Sequence, residues 1–230
     1  MKNDNLLWGV KRIQGELLKL DISLSTKTIR KILQSFRRRG KIRRSLTWKK
    51  FLESQMQSVY AMDFLTVDTM LGRRHYILAV ISHKTREIVR FAITENSTRE
   101  FVRQQLILFT ERMASTAYVI HDNALMFNID FLAYKLVSIR TAVEAPNMNS
   151  IMERFFRTVR REALDNLLLL GRDQIQVILE EYIAFYNTQR PHQGIHQQIP
   201  KPGEAQRAAG PICKTPVLGG LHHHYFRQAA

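Results

Sequence analysis

Three apolar runs separated only by short polar breaks, Val59 to Val67, Tyr76 to Ile81 and Ile88 to Ile93, constrain this chain more than any other feature. β-Branched and aromatic residues fill them, and Lys84-Thr85-Arg86 lies in the turn between the second and third. Runs of that length and composition, with breaks that short, read as an antiparallel meander of three strands. Beyond it the pattern alternates. The spacing predicts a helix over Thr98 to Met113, a strand over Ala117 to Ile120, a helix from about Asp130, a strand near Val137 to Val143 and a long helix from Asn147. A last helix is expected over Arg172 to Thr188, with Ile175, Ile178, Leu179, Tyr182 and Tyr186 on its packed face. A meander followed by alternating helix and strand describes an α/β fold: a five-stranded mixed sheet flanked by helices on both faces.

The N-terminal part reads differently. Leu6, Val10, Ile13, Leu17 and Leu20 fall at helical spacing, and Ser25-Thr-Lys-Thr opens a second helix with Ser or Thr as its cap. This small helix-turn-helix segment carries Lys27, Arg30 and Lys31 and runs into Arg37, Arg38, Arg39, Arg43 and Arg44. Such a run is either a solvated charged face or a track for phosphates. Its density beside paired helices favours DNA. The whole chain agrees, since 35 Lys plus Arg against 20 Asp plus Glu leave a net charge of +15, which calls for a polyanionic partner.

The 230 residues suffice for one ordinary core and a small accessory domain. We expect a helical DNA-binding segment over 1–50, a catalytic core over 55–190 and a C-terminal tail over 191–230. The tail is rich in Gly, Pro and Gln and is expected to be loosely structured, although Val217-Leu-Gly-Gly-Leu can form a short docked element. No apolar stretch approaches the roughly 20 residues that span a bilayer, and Met1-Lys-Asn-Asp-Asn leads into no signal-type segment, so no membrane partner and a cytoplasmic location are expected. The single cysteine, Cys213, excludes an intrachain disulfide framework.

Three acidic residues interrupt apolar runs: Asp63, Asp122 and Glu153. A buried carboxylate is costly unless paired or bound to a cation, so three of them suggest a shared one. Asp63 and Asp68 share a strand, but their odd spacing sends their side chains to opposite faces. Asp63 lies mid-strand and Asp68 beside the Leu71-Gly72-Arg73 turn, which favours Asp63. Asp122 follows Tyr118-Val-Ile-His at the carboxyl end of its strand, where open α/β sheets place functional groups. Glu153 has Asn149 one helical turn before it and Arg157 and Arg160 beyond it on the same face. A carboxylate beside two arginines and an amide fits metal-assisted phosphoryl transfer, with two Mg²⁺ ions about 4 Å apart held between carboxylates.

At this point the chain closely resembles the DDE transposases and integrases with a retroviral-type integrase core, specifically bacterial insertion-sequence integrase catalytic regions. Five segments carry the resemblance in order: Trp8-Gly-Val-Lys-Arg-Ile-Gln-Gly-Glu-Leu, Ala61-Met-Asp-Phe-Leu-Thr-Val-Asp-Thr, His121-Asp-Asn-Ala-Leu-Met-Phe, Ala145-Pro-Asn-Met-Asn-Ser-Ile-Met-Glu-Arg-Phe and Tyr186-Asn-Thr-Gln-Arg-Pro-His-Gln-Gly. The resemblance implies an RNase H-like fold and Mg²⁺-dependent cutting and joining of DNA ends, with Mn²⁺ as a substitute. It places the family's two aspartates and glutamate on Asp63, Asp122 and Glu153. The implied partners are double-stranded DNA, as element ends and as target, and at least a second copy of the chain on that DNA. Lys27, Arg30, Lys31, Arg37, Arg38, Arg39, Arg43, Arg44, Asn149, Arg157 and Arg160 are the expected DNA contacts, and a bacterial, nucleoid-associated location follows.

Two features depart from the family pattern. Thirty residues separate Asp122 from Glu153, about four fewer than usual, which in a helix would roughly preserve the face. Ala124 stands where the family commonly has glycine and requires a negative φ. Two rival readings stay open: a catalytically decayed, DNA-binding remnant, and an RNase H-type nuclease. The latter explains neither the N-terminal helices nor Arg190-Pro191-His192. Tyr186-Asn187 and Arg190-Pro191-His192 either contact DNA or pack and cap a helix end, and His121 either touches a phosphate or fills space. Trp8 and Trp48 read as packing anchors, and His222-His-His as solvated residues of the tail.

Overall fold

Alternation of β-branched, aromatic and aliphatic residues sets the strand faces, and the sheet that results is the frame on which the acidic residues sit. The computed structural model describes residues 9–38, 58–111, 113–141, 149–203 and 210–228. Two compact units are present, Met1–Gln55 and Met56–Ala230. In the first, α1 (Val10–Leu18) and α2 (Thr26–Arg38) contact each other, with Ile13 and Ile29 buried. Ser25 caps α2 as expected: its Oγ accepts from Thr28 N at 3.0 Å. The turn between them is fastened where Gln14 Nε2 donates to Leu24 O at 2.8 Å. Leu6, Trp8, Trp48, Arg39, Arg43 and Arg44 lie outside the residues whose placement or side chains are described.

The second unit holds β1 (Val59–Asp68), β2 (Arg74–Ser82), β3 (Ile88–Thr94), β4 (Ala117–His121) and β5 (Leu136–Arg140) in one sheet of order β3-β2-β1-β4-β5. The meander β1-β2-β3 is antiparallel, whereas β4 joins β1 and β5 joins β4 in parallel. This is the expected mixed sheet of five. Gly72, with φ 73°, closes the β1–β2 turn in the left-handed conformation that glycine adopts without strain. Helix α3 (Arg99–Thr110) starts where Thr98 Oγ1 accepts from Phe101 N at 3.1 Å. Its Val102 and Leu106 pack with Met62, Leu78, Val80, Val119 and Leu136 to form a fully buried cluster on one face of the sheet. Residues of opposite parity face the other side. There α4 (Ser150–Glu162) contacts β1 and β2, and α5 (Arg172–Thr188) contacts β3. The expected α5 face is buried in full, with Ile183 added to it.

Two expectations are corrected. No α-helix starts at Asp130. Instead, two 3-10 turns, Leu125–Phe127 and Leu132–Tyr134, lead into β5, because Asp130 Oδ1 accepts from Leu132 N at 3.0 Å and Lys135 turns left-handed at φ 57°. The C-terminal segment over 191–230 is also not loosely structured where it is described. An antiparallel hairpin, β6 (Ile212–Val217) and β7 (His222–Arg227), docks on α5. Val217 and Leu218 are buried, Glu181 Oε1 accepts from Leu218 N at 2.6 Å, and the His222 ring stacks on Phe185 at 5.6 Å. His222 is therefore a packed residue.

Leu106→Ala empties a fully buried site beneath the centre of the sheet and is expected to lower unfolding free energy by roughly 2–5 kcal/mol, read from urea midpoints. Leu108→Ala, on the exposed flank of the same helix, should shift it by less than about 0.5 kcal/mol.

Candidate catalytic site

Asp63 occupies the middle of β1, whose antiparallel pairing with β2 runs through it and sets its direction. Its antiparallel partner is Ala79 in β2. In the parallel pair β1–β4 the last matched residues are Ala61 and Ile120. Asp63 lies two residues past that pair on β1, and Asp122 two residues past it on the other side, just after the end of β4, and the same parity directs both toward one face of the sheet. That face is the one α4 covers, and Glu153 lies in the first turn of α4, where the helix dipole favours a negative charge.

Each carboxylate has a different degree of restraint. Asp63 is half-buried; its Oδ1 accepts from Phe64 N at 2.8 Å and its Oδ2 from Asn149 Nδ2 at 3.0 Å. Asp122 Oδ1 accepts from Ala124 N at 3.0 Å. Glu153 is exposed. Burial, offset in part by the Phe64 N–H and reinforced by the negative charges of Asp122 and Glu153, pushes the Asp63 carboxyl up to about 6. Asp122 and Glu153 therefore both lie within electrostatic reach of Asp63, although among the described residues no group of three closes to metal-ligating distance. Asp68 takes no part. It lies on the opposite face in an exposed ion pair with Arg74 at 2.8 Å, whose hydrogen bond holds its carboxyl below the usual range.

The other expected site residues divide into those turned inward and those turned to solvent. Asn149 is buried and its Nδ2 donates to Asp63, so its amide holds the aspartate. Its Oδ1 is buried without a partner. Arg160 donates to Thr66 O of β1 and lies 3.8 Å from Asp165, whereas Arg157 is exposed. Lys27, Arg30 and Lys31 are exposed on α2; Arg37 and Arg38 lie in its last turn.

His121 does not face a phosphate. It is fully buried, stacked on Phe131 at 4.6 Å, with Nε2 2.7 Å from Ser138 Oγ, and burial lowers its pKa. The Tyr186-Asn187 segment is structural too: Tyr186 is buried, and Asn187 clamps the β3 main chain, accepting from Ile88 N and donating to Ile88 O, each at 2.9 Å. Arg190 forms a two-point ion pair with Glu162 at 2.6 and 2.9 Å, and Tyr182 Oη donates to the same carboxylate at 2.8 Å.

The integrase core domain family model matches residues 135–200, which take in β5, Glu153 with α4, and α5. The chain is 24% identical over 209 residues to the insertion element IS600 uncharacterized 31 kDa protein of Shigella sonnei, covering 80% of this chain and 76% of that protein. Among solved structures it is similar to the Mos1 transposase catalytic domain with raltegravir and Mg, at TM-score 0.50 and 14% identity, over 64% of this chain and 81% of that one. The same domain with raltegravir and Mn matches at TM-score 0.50, 14% identity, 64% and 80%. The resemblance to integrases and transposases is thus found in sequence, and the RNase H-like mixed sheet in fold.

A carboxyl whose pKa is raised on folding binds its proton more tightly in the folded chain. Its favourable contribution is complete below the unfolded value near 4 and is lost as pH rises through about 6. Asp63→Asn is therefore expected to stabilise the protein by about 2 kcal/mol at pH 8 and to have little effect near pH 3.5, measured by urea unfolding at both pH values. Parallel stability profiles for the two proteins across this range would show that Asp63 is not perturbed.

Proposed function

We propose, for a chain similar to insertion-element proteins and integrase cores, that it cleaves the ends of a DNA element in a metal-dependent reaction and transfers the strands into target DNA. The observation that carries this reading is the placement of Asp63 on β1, Asp122 just after β4 and Glu153 in the first turn of α4, the helix that Asn149 fastens to Asp63. Three hard oxygen donors with surplus negative charge suit Mg²⁺, with Mn²⁺ as a substitute, and Asp63, Asp122 and Glu153 are the residues that would hold two such ions. Bound there, the ions would supply the charge that activates the attacking oxygen and offsets the departing one.

The chain's own groups set the geometry. Phe64 N–H and Asn149 Nδ2 fix both oxygens of Asp63, and Ala124 N–H fixes one of Asp122. Glu153, exposed and without such restraints among the described residues, completes the set from α4. Arg157, one turn further along, is placed to meet a strand phosphate, while Lys27, Arg30 and Lys31 present a basic face of α2 to the element end. In the first step water adds in line to the scissile phosphorus, and the bond to the 3′ oxygen breaks to leave a 3′ hydroxyl. In the second that hydroxyl attacks a target phosphodiester and displaces its 3′ oxygen. Joining two ends in concert requires at least two copies of the chain, acting on DNA in a bacterial cytoplasm at the nucleoid.

The decayed, DNA-binding reading has one observation in its favour: among the described residues the acids are not drawn together to ligating distance. One assay separates the two readings, namely nicking and joining of supercoiled plasmid carrying element ends, with Mg²⁺ or Mn²⁺, by the wild type and Asp122→Asn purified identically. Losing one of the proposed ligands is expected to cost several kcal/mol of transition-state stabilisation, or roughly a hundredfold or more in rate. Binding without cutting by both proteins would favour the remnant, and equal cutting by both would remove Asp122 from the mechanism.

A further inference from the structure

Beside α4, along the side that carries Arg154, Arg157 and Arg161, the molecule holds a cavity of about 430 Å³ bounded also by the turn that carries Arg190 to Gln197. Five arginines line it, Arg86, Arg154, Arg157, Arg161 and Arg190, and no aspartate or glutamate does. The nearest compensation is Glu162, which is already taken up by Arg190 in two hydrogen bonds and by Arg161 at 3.6 Å. Arg86, Arg154 and Arg157 have no carboxylate partner among the described residues.

Arg86 gives the cavity a built character. Its backbone is left-handed at φ 65°, which turns the residue out of the β2–β3 connection, and its Nη1 is buried without a hydrogen-bond partner. An unpaired buried guanidinium nitrogen is costly unless an acceptor reaches it. Nor does His192 add an acidic counterweight. Arg190 Nη1 lies 3.4 Å from His192 Nδ1, and a guanidinium only donates, so Nδ1 accepts, Nε2 donates to Tyr186 O at 3.0 Å, and the imidazole is neutral. Positive charge concentrated in a concave site with protein walls produces a strong local potential, and planar guanidinium forks match phosphate oxygens.

We propose that this cavity is a phosphate-binding site separate from the carboxylate cluster, with Arg86 and Arg154 holding the oxygens of one phosphate and Arg157 at its edge. The phosphate belongs to a DNA strand that continues past α4, an identification that rests on the function proposed above; a free phosphate has the same chemistry. Neither Asp63 nor Asp122 lines the cavity, so the site contributes binding and register without taking part in the chemical step.

Two arms test this on the full chain. In the first, duplex DNA binding is followed by fluorescence anisotropy against salt for the wild type, Arg86→Gln, Arg154→Gln and a control, Arg103→Gln on α3. Each cavity variant is expected to reduce the slope of log affinity on log salt by about 0.9, the loss of one phosphate contact, and the control to leave it unchanged. In the second, inorganic phosphate is compared with chloride at matched ionic strength, and it is expected to raise the melting temperature of the wild type but not of Arg154→Gln. Arg154 is exposed on α4, so this variant should fold even if the half-buried Arg86 cannot be replaced. A slope change identifies a strand phosphate, and a melting shift alone identifies a free one. Unchanged slopes in the folded variants together with no phosphate shift would overturn the proposal. If the wild type binds no duplex at all, the DNA reading fails, and the phosphate arm still decides the cavity.

Discussion

The parallel register of β1 and β4 is the constraint from which the rest of this site follows. It matches Ala61 of β1 with Ile120 of β4 and so leaves Asp63 and Asp122 just past the last matched pair, while the α3 face of β1 is buried. Burial of Asp63 penalises its charged form most, and the negative charges of Asp122 and Glu153 add to that penalty. The result is a carboxyl raised to about 6 in a fold that gains nothing from the repulsion itself. Neutral donors, Phe64 N–H and Asn149 Nδ2, orient the oxygens without cancelling their charge. The oxygens of Asp63 are therefore oriented by neutral donors while its charge is left uncompensated among the described residues.

Helix α4 serves this arrangement because successive residues on a helix point about 100° apart. Met152, Phe155, Phe156 and Val159 anchor it against the sheet. With that seam fixed, Asn149 is committed to Asp63 and Arg160 to the β1 main chain, Glu153 stands at the edge of the carboxylate cluster, and Arg154 and Arg161 fall on the cavity flank. A single helix thus carries both Glu153 and arginines that line the cavity. The Glu162–Arg190 pair at its end ties it to the segment after α5, so the helix position depends on both the sheet and the Arg190–Gln197 turn.

Much of this was legible in the sequence wherever local pattern and tertiary environment agree. Continuous apolar runs marked the five strands, α5 was bounded correctly, and the odd spacing of Asp63 and Asp68 placed them on opposite faces, with Asp68 in a surface ion pair. The failures share a cause: each depends on a partner distant in the chain or on a backbone conformation that composition does not encode. The stretch after Asp130 has helical apolar spacing, yet an Asx-type bond and a left-handed Lys135 divide it into 3-10 turns. The C-terminal hairpin reads as a loose Gly- and Pro-rich tail until Glu181 and Phe185 of α5 supply its contacts. Asn149 looks like a polar helix-opening residue free to meet DNA, and only the fold reveals Asp63, 86 positions away, as its partner. On α4 the sequence pointed to Arg157 and Arg160, but the cavity takes Arg154, Arg157 and Arg161 together with Arg86 from an unrelated turn.

Ala124 does not force a strained backbone, and the shorter stretch before Glu153 still forms β5 among its described residues. Ala124 adopts φ −63°, an ordinary value for any L-residue, and its N–H is spent on Asp122; a glycine's freedom is not needed there. The shorter stretch between Asp122 and Glu153 contains 3-10 turns and β5 among its described residues, so no α-helical face had to be kept in phase across it. What the shortening had to preserve was the landing of α4 on β1, which is secured by four buried apolar residues and by Asn149 on Asp63. Glu153 lies one turn beyond that anchor, and its charge still registers on Asp63. The position of the third acid is therefore governed by the packing of its helix, not by the length of chain that leads to it.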